Sequence, residues 1–196
     1  MITAPGSTPL EVATLIELLD RGLGCLHVRK PQWTEERTAA WLAELPKAWY
    51  PRLTLHGHPE LARAMGLGGI HLRGGEAPPA FAWSGRLSQS FHHFEEVLHY
   101  VGPSLDYGFI SPLWPSISKP GHGPGWTTAA LEDFLQQARP MPLYGLGGIT
   151  PERLPQVARW GLDGVAVLGG IWQEKTVHLR LKRFEGYEQG IETLRP

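Results

Sequence analysis

Asp106-Tyr107-Gly108-Phe109-Ile110-Ser111-Pro112-Leu113-Trp114-Pro115-Ser116-Ile117-Ser118-Lys119 carries an apolar strand, without an intervening helix, into two hydroxyls and one ammonium. Such an ending suits a phosphorylated ligand. Further along, Leu146-Gly147-Gly148-Ile149 and Val167-Leu168-Gly169-Gly170 each close another apolar strand with a glycine pair. Lacking a Cβ, these positions let backbone N–H groups approach an anion. Two such strand ends side by side are a common phosphate anchor in βα barrels.

Outward from these segments, short apolar runs alternate with helical patterns eight times, the signature of a parallel sheet with crossover helices. The runs predict strands over 1–4, 25–29, 52–56, 69–72, 86–90, 106–111, 141–146 and 164–168. Helix starts are read at Thr8-Pro9-Leu10-Glu11, where an N-cap, a proline and a capping-box glutamate coincide, and at Thr34, Thr127-Thr128 and Thr150-Pro151. A last helix, over 176–194, should close the barrel and fray at its end. Eight parallel strands can close and leave no edge, so the expected fold is α/β, a single domain over 1–196 built as a closed (β/α)8 TIM barrel. Gly74-Gly75-Glu76-Ala77-Pro78-Pro79 and Pro120-Gly121-His122-Gly123-Pro124-Gly125 hold too much glycine and proline for helix. Both fall on the face where barrel sites form, and the second is expected to act as a mobile lid.

Composition sets limits on function. A chain of 196 residues buries one core and leaves little room for a second domain beside a barrel. A formal net charge of −1 gives no electrostatic footprint for nucleic acid or an anionic membrane. The single cysteine, Cys25, excludes an internal disulfide and reads as a small apolar residue on a strand. Met1-Ile2-Thr3-Ala4-Pro5-Gly6 has neither the basic region nor the apolar run of a signal peptide, and no apolar stretch reaches spanning length. A cytoplasmic location is therefore expected.

With these segments in view, the chain resembles the thiamine phosphate synthase/TenI family. That family carries Gly-Pro-(apolar)-aromatic-Pro-Thr-x-Thr-Lys on its sixth strand, which Ser111-Pro112-Leu113-Trp114-Pro115-Ser116-Ile117-Ser118-Lys119 answers. His27-Val28-Arg29, Gly69-Ile70-His71-Leu72, Ser90, Gly147-Gly148-Ile149 and Gly164-Val165-Ala166-Val167 extend the match along nearly the whole chain. The resemblance implies coupling of hydroxymethylpyrimidine diphosphate with thiazole phosphate, with release of diphosphate. It assigns Lys119, Arg29, Ser116 and Ser118 to catalysis at the diphosphate or the developing charge. It places Ser90 in the pyrimidine pocket and Gly148, Gly169 and Gly170 in a backbone cradle for thiazole phosphate, with His27, His56 and Pro112 as further substrate-binding positions.

The same resemblance implies Mg²⁺, but with a weakened site. The family's metal-binding Asp after the third strand falls on Gly57 and its strand-two lysine on Pro31, leaving Glu76 as the retained metal carboxylate. The histidine that TenI, a thiazole tautomerase, uses falls on Pro112. Beside the synthase reading there accordingly stand a TenI-like tautomerase or isomerase and a non-catalytic binder of a phosphorylated thiamine intermediate. His27, His56 and His71 end three neighbouring strands, where they can shuttle protons or bind a transition metal; alternatively His71 is a hydrogen-bonded packing residue. His92 reads as structural, and Trp114 as a stacking platform for a heterocycle. Family members commonly associate, which implies a homodimer.

Overall fold

Short strands parallel to their neighbours must each be reached through a crossover, and the helices supply it. The computed structural model describes residues 1–115, 123 and 125–193. Seven strands lie in one parallel sheet in chain order: β1 (Leu26–Val28), β2 (Leu53–His56), β3 (Gly69–Leu72), β4 (Arg86–Phe91), β5 (Tyr107–Ile110), β6 (Leu143–Leu146) and β7 (Gly164–Ala166). The helices are α1 (Glu11–Asp20), α2 (Glu35–Leu42), α3 (Pro59–Met65), α4 (Phe94–Leu98), α5 (Thr128–Leu135), α6 (Leu154–Trp160), α7 (Gly169–Trp172) and α8 (Val177–Glu192). Among the described residues, no helix is long and apolar enough to cross a membrane.

Threonine caps define several helix starts. The hydroxyls of Thr34, Thr127 and Thr176 accept the N–H groups of Arg37, Ala130 and Leu179. The start expected at Thr8 is displaced: α1 begins at Glu11, after Leu10 in the left-handed region at φ 58°, with no side-chain cap. Glu11 is not a capping-box residue either. Its carboxylate turns inward, where Oε1 accepts the Ala4 N–H at 3.2 Å and Oε2 meets Lys30 Nζ at 2.6 Å.

The curl of the sheet divides apolar residues between two cores. Leu26 and Val28 on β1, Leu53 and Leu55 on β2, and Ile70 and Leu72 on β3 face outward into the large core beneath the helices, with Leu15, Leu18 and Leu19 of α1. Each such buried side chain contributes about 1.5–3 kcal/mol. Residues of the opposite parity face the concave side. There Ile2, Tyr107, Phe109 and Ala166 form a smaller cluster, against which Tyr144, Leu146 and Leu168 pack.

The expected closed eight-stranded barrel is not formed. The sheet is an open half-barrel whose edges, β1 and β7, lie 9 Å apart. Residues 1–4, predicted as a strand, register as one parallel bridge, Ile2 to His27. They reach the β1 side through the Met1 ammonium to Cys25 O, the His27 N–H to Met1 O and the Thr3 N–H to His27 O, but among the described residues they reach the β7 side by one backbone bond, from the Ile2 N–H to Val167 O at 2.9 Å. Pro5, without an N–H, and Gly6 cut that segment short, and the flanking strands offer only three residues each.

The Lys30–Glu11 pair ties this segment to β1 and α1. Lys30 Nζ also donates to Ala4 O and Gly6 O, each at 2.9 Å, and sits 4.7 Å above the ring centroid of Trp33. The two side chains are 1% and 3% exposed. Burial pulls both toward their neutral forms while the pair pulls back. Glu11→Ala leaves the ammonium buried without a carboxylate, so urea unfolding should show a loss of about 3–5 kcal/mol. Lys30→Met with Glu11→Leu should recover most of it; a double variant no more stable than Glu11→Ala would refute this account.

Candidate functional site

A cavity of about 650 Å³ opens at the C-terminal ends of the strands, the face on which parallel α/β proteins bind ligands. Its wall follows from strand parity. Residues that alternate toward the concave side bring Arg29, His56, His71, Ser90 and Phe109 to the cavity from five consecutive strand ends. Pro112, reached through a cis Ser111–Pro112 bond, and the loops holding Gly147-Gly148 and Gly169-Gly170 complete the rim.

Space requires glycine at two of the cradle positions, Gly148 and Gly170, whereas a Cβ at Gly169 would meet nothing within 4 Å. At Gly148, φ is +67° and a Cβ would come within 2.6 Å of Trp114 Cβ; at Gly170 it would collide with Tyr187 Oη. Among the described residues, no hydrogen-bond acceptor takes up the N–H groups of Gly148, Gly169 or Gly170. The Gly148 carbonyl accepts from Arg153.

Charge on the wall is one-sided. Arg29 and Arg73 both line the cavity, and no carboxylate does among the described residues. Burial, and then the neighbouring Arg73 charge, lower the Arg29 guanidinium from its ordinary value. An anion between them would relieve that repulsion. Lys30 is also in the wall, but its ammonium is committed to Glu11.

Beneath the arginines lies a nest of imidazoles. His27 Nδ1 is 3.0 Å from His56 Nε2, and His27 Nε2 is 2.8 Å from the Tyr107 hydroxyl. His71 contacts two hydroxyls at 2.8 Å, Nδ1 to Ser88 and Nε2 to Ser90. The His56 and His71 rings stack with centroids 4.1 Å apart. Burial is the main cause that lowers all three, helped at His27 by the other two histidines and at His56 by His71 and the arginines. His71 is brought down to about 3, again by burial and then Arg29. All three are neutral near pH 7, and the Tyr107 hydroxyl is raised, chiefly by burial.

Of the residues singled out from sequence, Arg29, His56, Ser90, Pro112, Gly148, Gly169 and Gly170 share this cavity, and His27 lies directly behind His56. Glu76 does not join them. Its Oε2 accepts the Arg73 backbone N–H at 2.8 Å, and it lines a separate cavity of about 440 Å³. Ser116, Ser118 and Lys119, with most of the expected lid, lie outside the described residues. Trp114 stacks on Trp160 at 4.9 Å and carries Arg153 on its ring, so its faces serve packing. His92 lines the cavity, with Nδ1 3.1 Å from Ser111 O. Arg73 and Tyr107 carry weight that sequence reading missed. Their positions, two residues beyond His71 and two before Phe109, share the inward parity and were the available signal.

A parallel α/β sheet with an arginine-rimmed, glycine-looped cavity at its carboxyl ends places the chain among α/β proteins with a cavity at the strand ends. The chain belongs to the family described as thiamine monophosphate synthase, whose model matches residues 1–171. Thiamine-phosphate synthase of Thermus thermophilus is 26% identical over 156 residues, covering 76% of this chain and 75% of that protein. The same enzyme of a Mycobacterium species is 28% identical over 165 residues, covering 80% and 72%. In fold, the chain is similar to thiamine phosphate pyrophosphorylase of Bacteroides thetaiotaomicron, at a TM-score of 0.80 and 24% identity over 100% of this chain and 98% of that one. The Pyrococcus furiosus protein gives 0.81 and 19% identity, over 100% and 95%.

The depressed histidines make stability depend on pH. The unfolded chain protonates His71 near 6.5 and the folded chain only near 3, so stability is complete above 6.5 and falls as pH drops through that window. Each pH unit well within it removes about 1.4 kcal/mol through His71. Denaturant melts between the two values should therefore be steeper in pH for the native chain than for His71→Gln, and equal slopes would contradict the assignment.

Proposed function

We propose that this protein is a thiamine-phosphate synthase that joins a pyrimidinylmethyl diphosphate to a thiazole phosphate. The observation that carries the reading is the cavity itself, in which two arginines, with no carboxylate among the described lining residues, share the wall with two glycine loops. Membership of the thiamine monophosphate synthase family supports it. Arg29 and Arg73 would hold the diphosphate, whose C–O bond breaks with the electron pair leaving on the diphosphate oxygen. The thiazole nitrogen then donates its lone pair to the pyrimidinylmethyl carbon. The N–H groups of Gly148, Gly169 and Gly170 would anchor the thiazole phosphate, Ser90 and Pro112 would border the pyrimidine, and Lys119, Ser116 and Ser118 complete the proposed catalytic set.

The residues present do not fit Mg²⁺. A hard divalent cation calls for carboxylate oxygens, and the described wall offers none, since Glu76 is turned to its own turn. Gly57 sits at φ +71° with no side chain to offer. No step is therefore assigned to the metal, and turnover should be slow.

A second reading, isomerisation of a thiazole phosphate, is favoured by one feature. His56 faces the cavity as a neutral imidazole backed by His27, which suits it to carry a proton to or from a bound ring. A homodimer remains part of the proposal, as the family resemblance implies.

Incubating the protein with both phosphorylated precursors, with and without added Mg²⁺, tests these readings together. Thiamine phosphate should form, and Arg29→Ala should weaken diphosphate binding by about 10–100-fold, as loss of a charge-assisted bond does. Formation of isomerised thiazole phosphate with no thiamine phosphate would transfer the assignment to the second reading. Gly57→Asp with Pro31→Lys should raise Mg²⁺-dependent synthesis. Space allows it, because a Cβ at Gly57 meets nothing within 4 Å and aspartate tolerates left-handed backbone better than most residues.

A further inference from the structure

We propose that His27, His56 and His71 form a three-nitrogen site for a divalent transition metal of the zinc class, with its remaining coordination position open to the cavity. One ring nitrogen from each histidine lies within 4.8 Å of the other two. The closest pair, His27 Nδ1 and His56 Nε2, is 3.0 Å apart. Two nitrogens on a tetrahedral zinc, each about 2.0–2.1 Å from the ion, stand about 3.3 Å from one another. A small opening of this pair, with His71 drawn in, makes the geometry.

What distinguishes the cluster from packed core histidines is the set of groups behind it. A ligating histidine donates its other ring N–H to a fixed acceptor, which sets the tautomer and aims the free lone pair at the ion. Tyr107 Oη lies 2.8 Å from His27 Nε2, and Ser88 Oγ lies 2.8 Å from His71 Nδ1. With those two N–H groups donated outward, His27 Nδ1 presents its lone pair to His56 Nε2, and His71 Nε2 keeps a lone pair that now accepts from Ser90 Oγ and would turn to the ion. Both acceptors are buried and come from strands β5 and β4, so the fold holds them in place. The contacts an ion would replace are the His27–His56 hydrogen bond and that from Ser90 Oγ to His71 Nε2.

Donor chemistry selects the ion. Three imidazoles and no carboxylate in the described wall disfavour oxygen-seeking cations and suit zinc, cobalt and their neighbours. His56 and His71 line the cavity, so the open position faces the space where Arg29 and Arg73 stand, and an oxygen of an anionic ligand would take it. This assignment is independent of which phosphorylated heterocycle the cavity accepts.

The test uses the full chain, stripped with a chelator, dialysed and titrated with Zn²⁺ alone in a calorimeter and with Co²⁺ in a visible spectrometer. One equivalent per chain should bind, with the absorption of cobalt in a four-coordinate nitrogen site. Tyr107→Phe keeps the ring but removes the outer acceptor and should weaken Zn²⁺ binding by about 10-fold; His56→Ala should weaken it by more than about 100-fold. His99→Ala with His178→Ala, both away from the cluster, should change nothing. No saturable Zn²⁺ binding by the folded native chain would overturn the proposal, as would binding lost in the His99/His178 variant. Undiminished binding in His56→Ala would do the same. Circular dichroism checks each fold, and if His56→Ala does not fold, Tyr107→Phe decides: unchanged affinity there rejects the site.

Discussion

The salt bridge between Lys30 and Glu11 is the constraint on which the rest of the molecule hangs. It gathers three parts of the chain at one buried point: the end of β1, the start of α1 and the segment 1–6 between them. Because the sheet is open, something must occupy the gap between β1 and β7. Residues 1–4 do so with bonds to both edges, from the Ile2 N–H to Val167 O and from the His27 N–H to Met1 O. A segment held on the β7 side by one backbone bond is weakly fixed there, and the ion pair anchors it from the far end.

Inside the curl a second balance is struck. A sheet interior lined by aliphatic side chains alone would be a packed core, whereas this one carries three imidazoles and several hydroxyls that must satisfy one another. They do so across strands: His27 with Tyr107, and His71 with Ser88 and Ser90. Burial and mutual proximity keep the rings neutral, which spares the fold a buried cation. The same arrangement keeps lone pairs available beneath the arginines. Neutral imidazoles here sit at the bottom of the cavity and positive charge at its mouth, an order whose field favours negative charge at the opening.

Much of the fold was legible in the chain. Seven of the eight predicted strands form within a residue or two of their expected positions, and Thr34 and Thr127 cap the helices they announce, whereas Thr150-Pro151 opens only a 3-10 turn over Pro151–Arg153, without a side-chain cap, before α6. The eighth strand failed for a reason that local pattern does not carry. Met1 to Ala4 has a strand's composition, but whether it pairs depends on the reach of two edges from opposite ends of the sheet. Glu11 failed in a similar way, since a capping box and a buried ion-pair partner look alike until the position of Lys30 is known.

For the site, the sequence by itself determined the glycine loops, Arg29 and the presence of histidines at three strand ends, because strand order and parity alone direct such residues to one face. Only the tertiary structure decided which of them meet. It turned Glu76 to its own turn and added Arg73 to the wall. It also set His27 between His56 and Tyr107. Those outcomes depend on the curvature of the sheet and on contacts between residues 80 positions apart, and such distances are set by the packing of the whole chain rather than by any stretch of it.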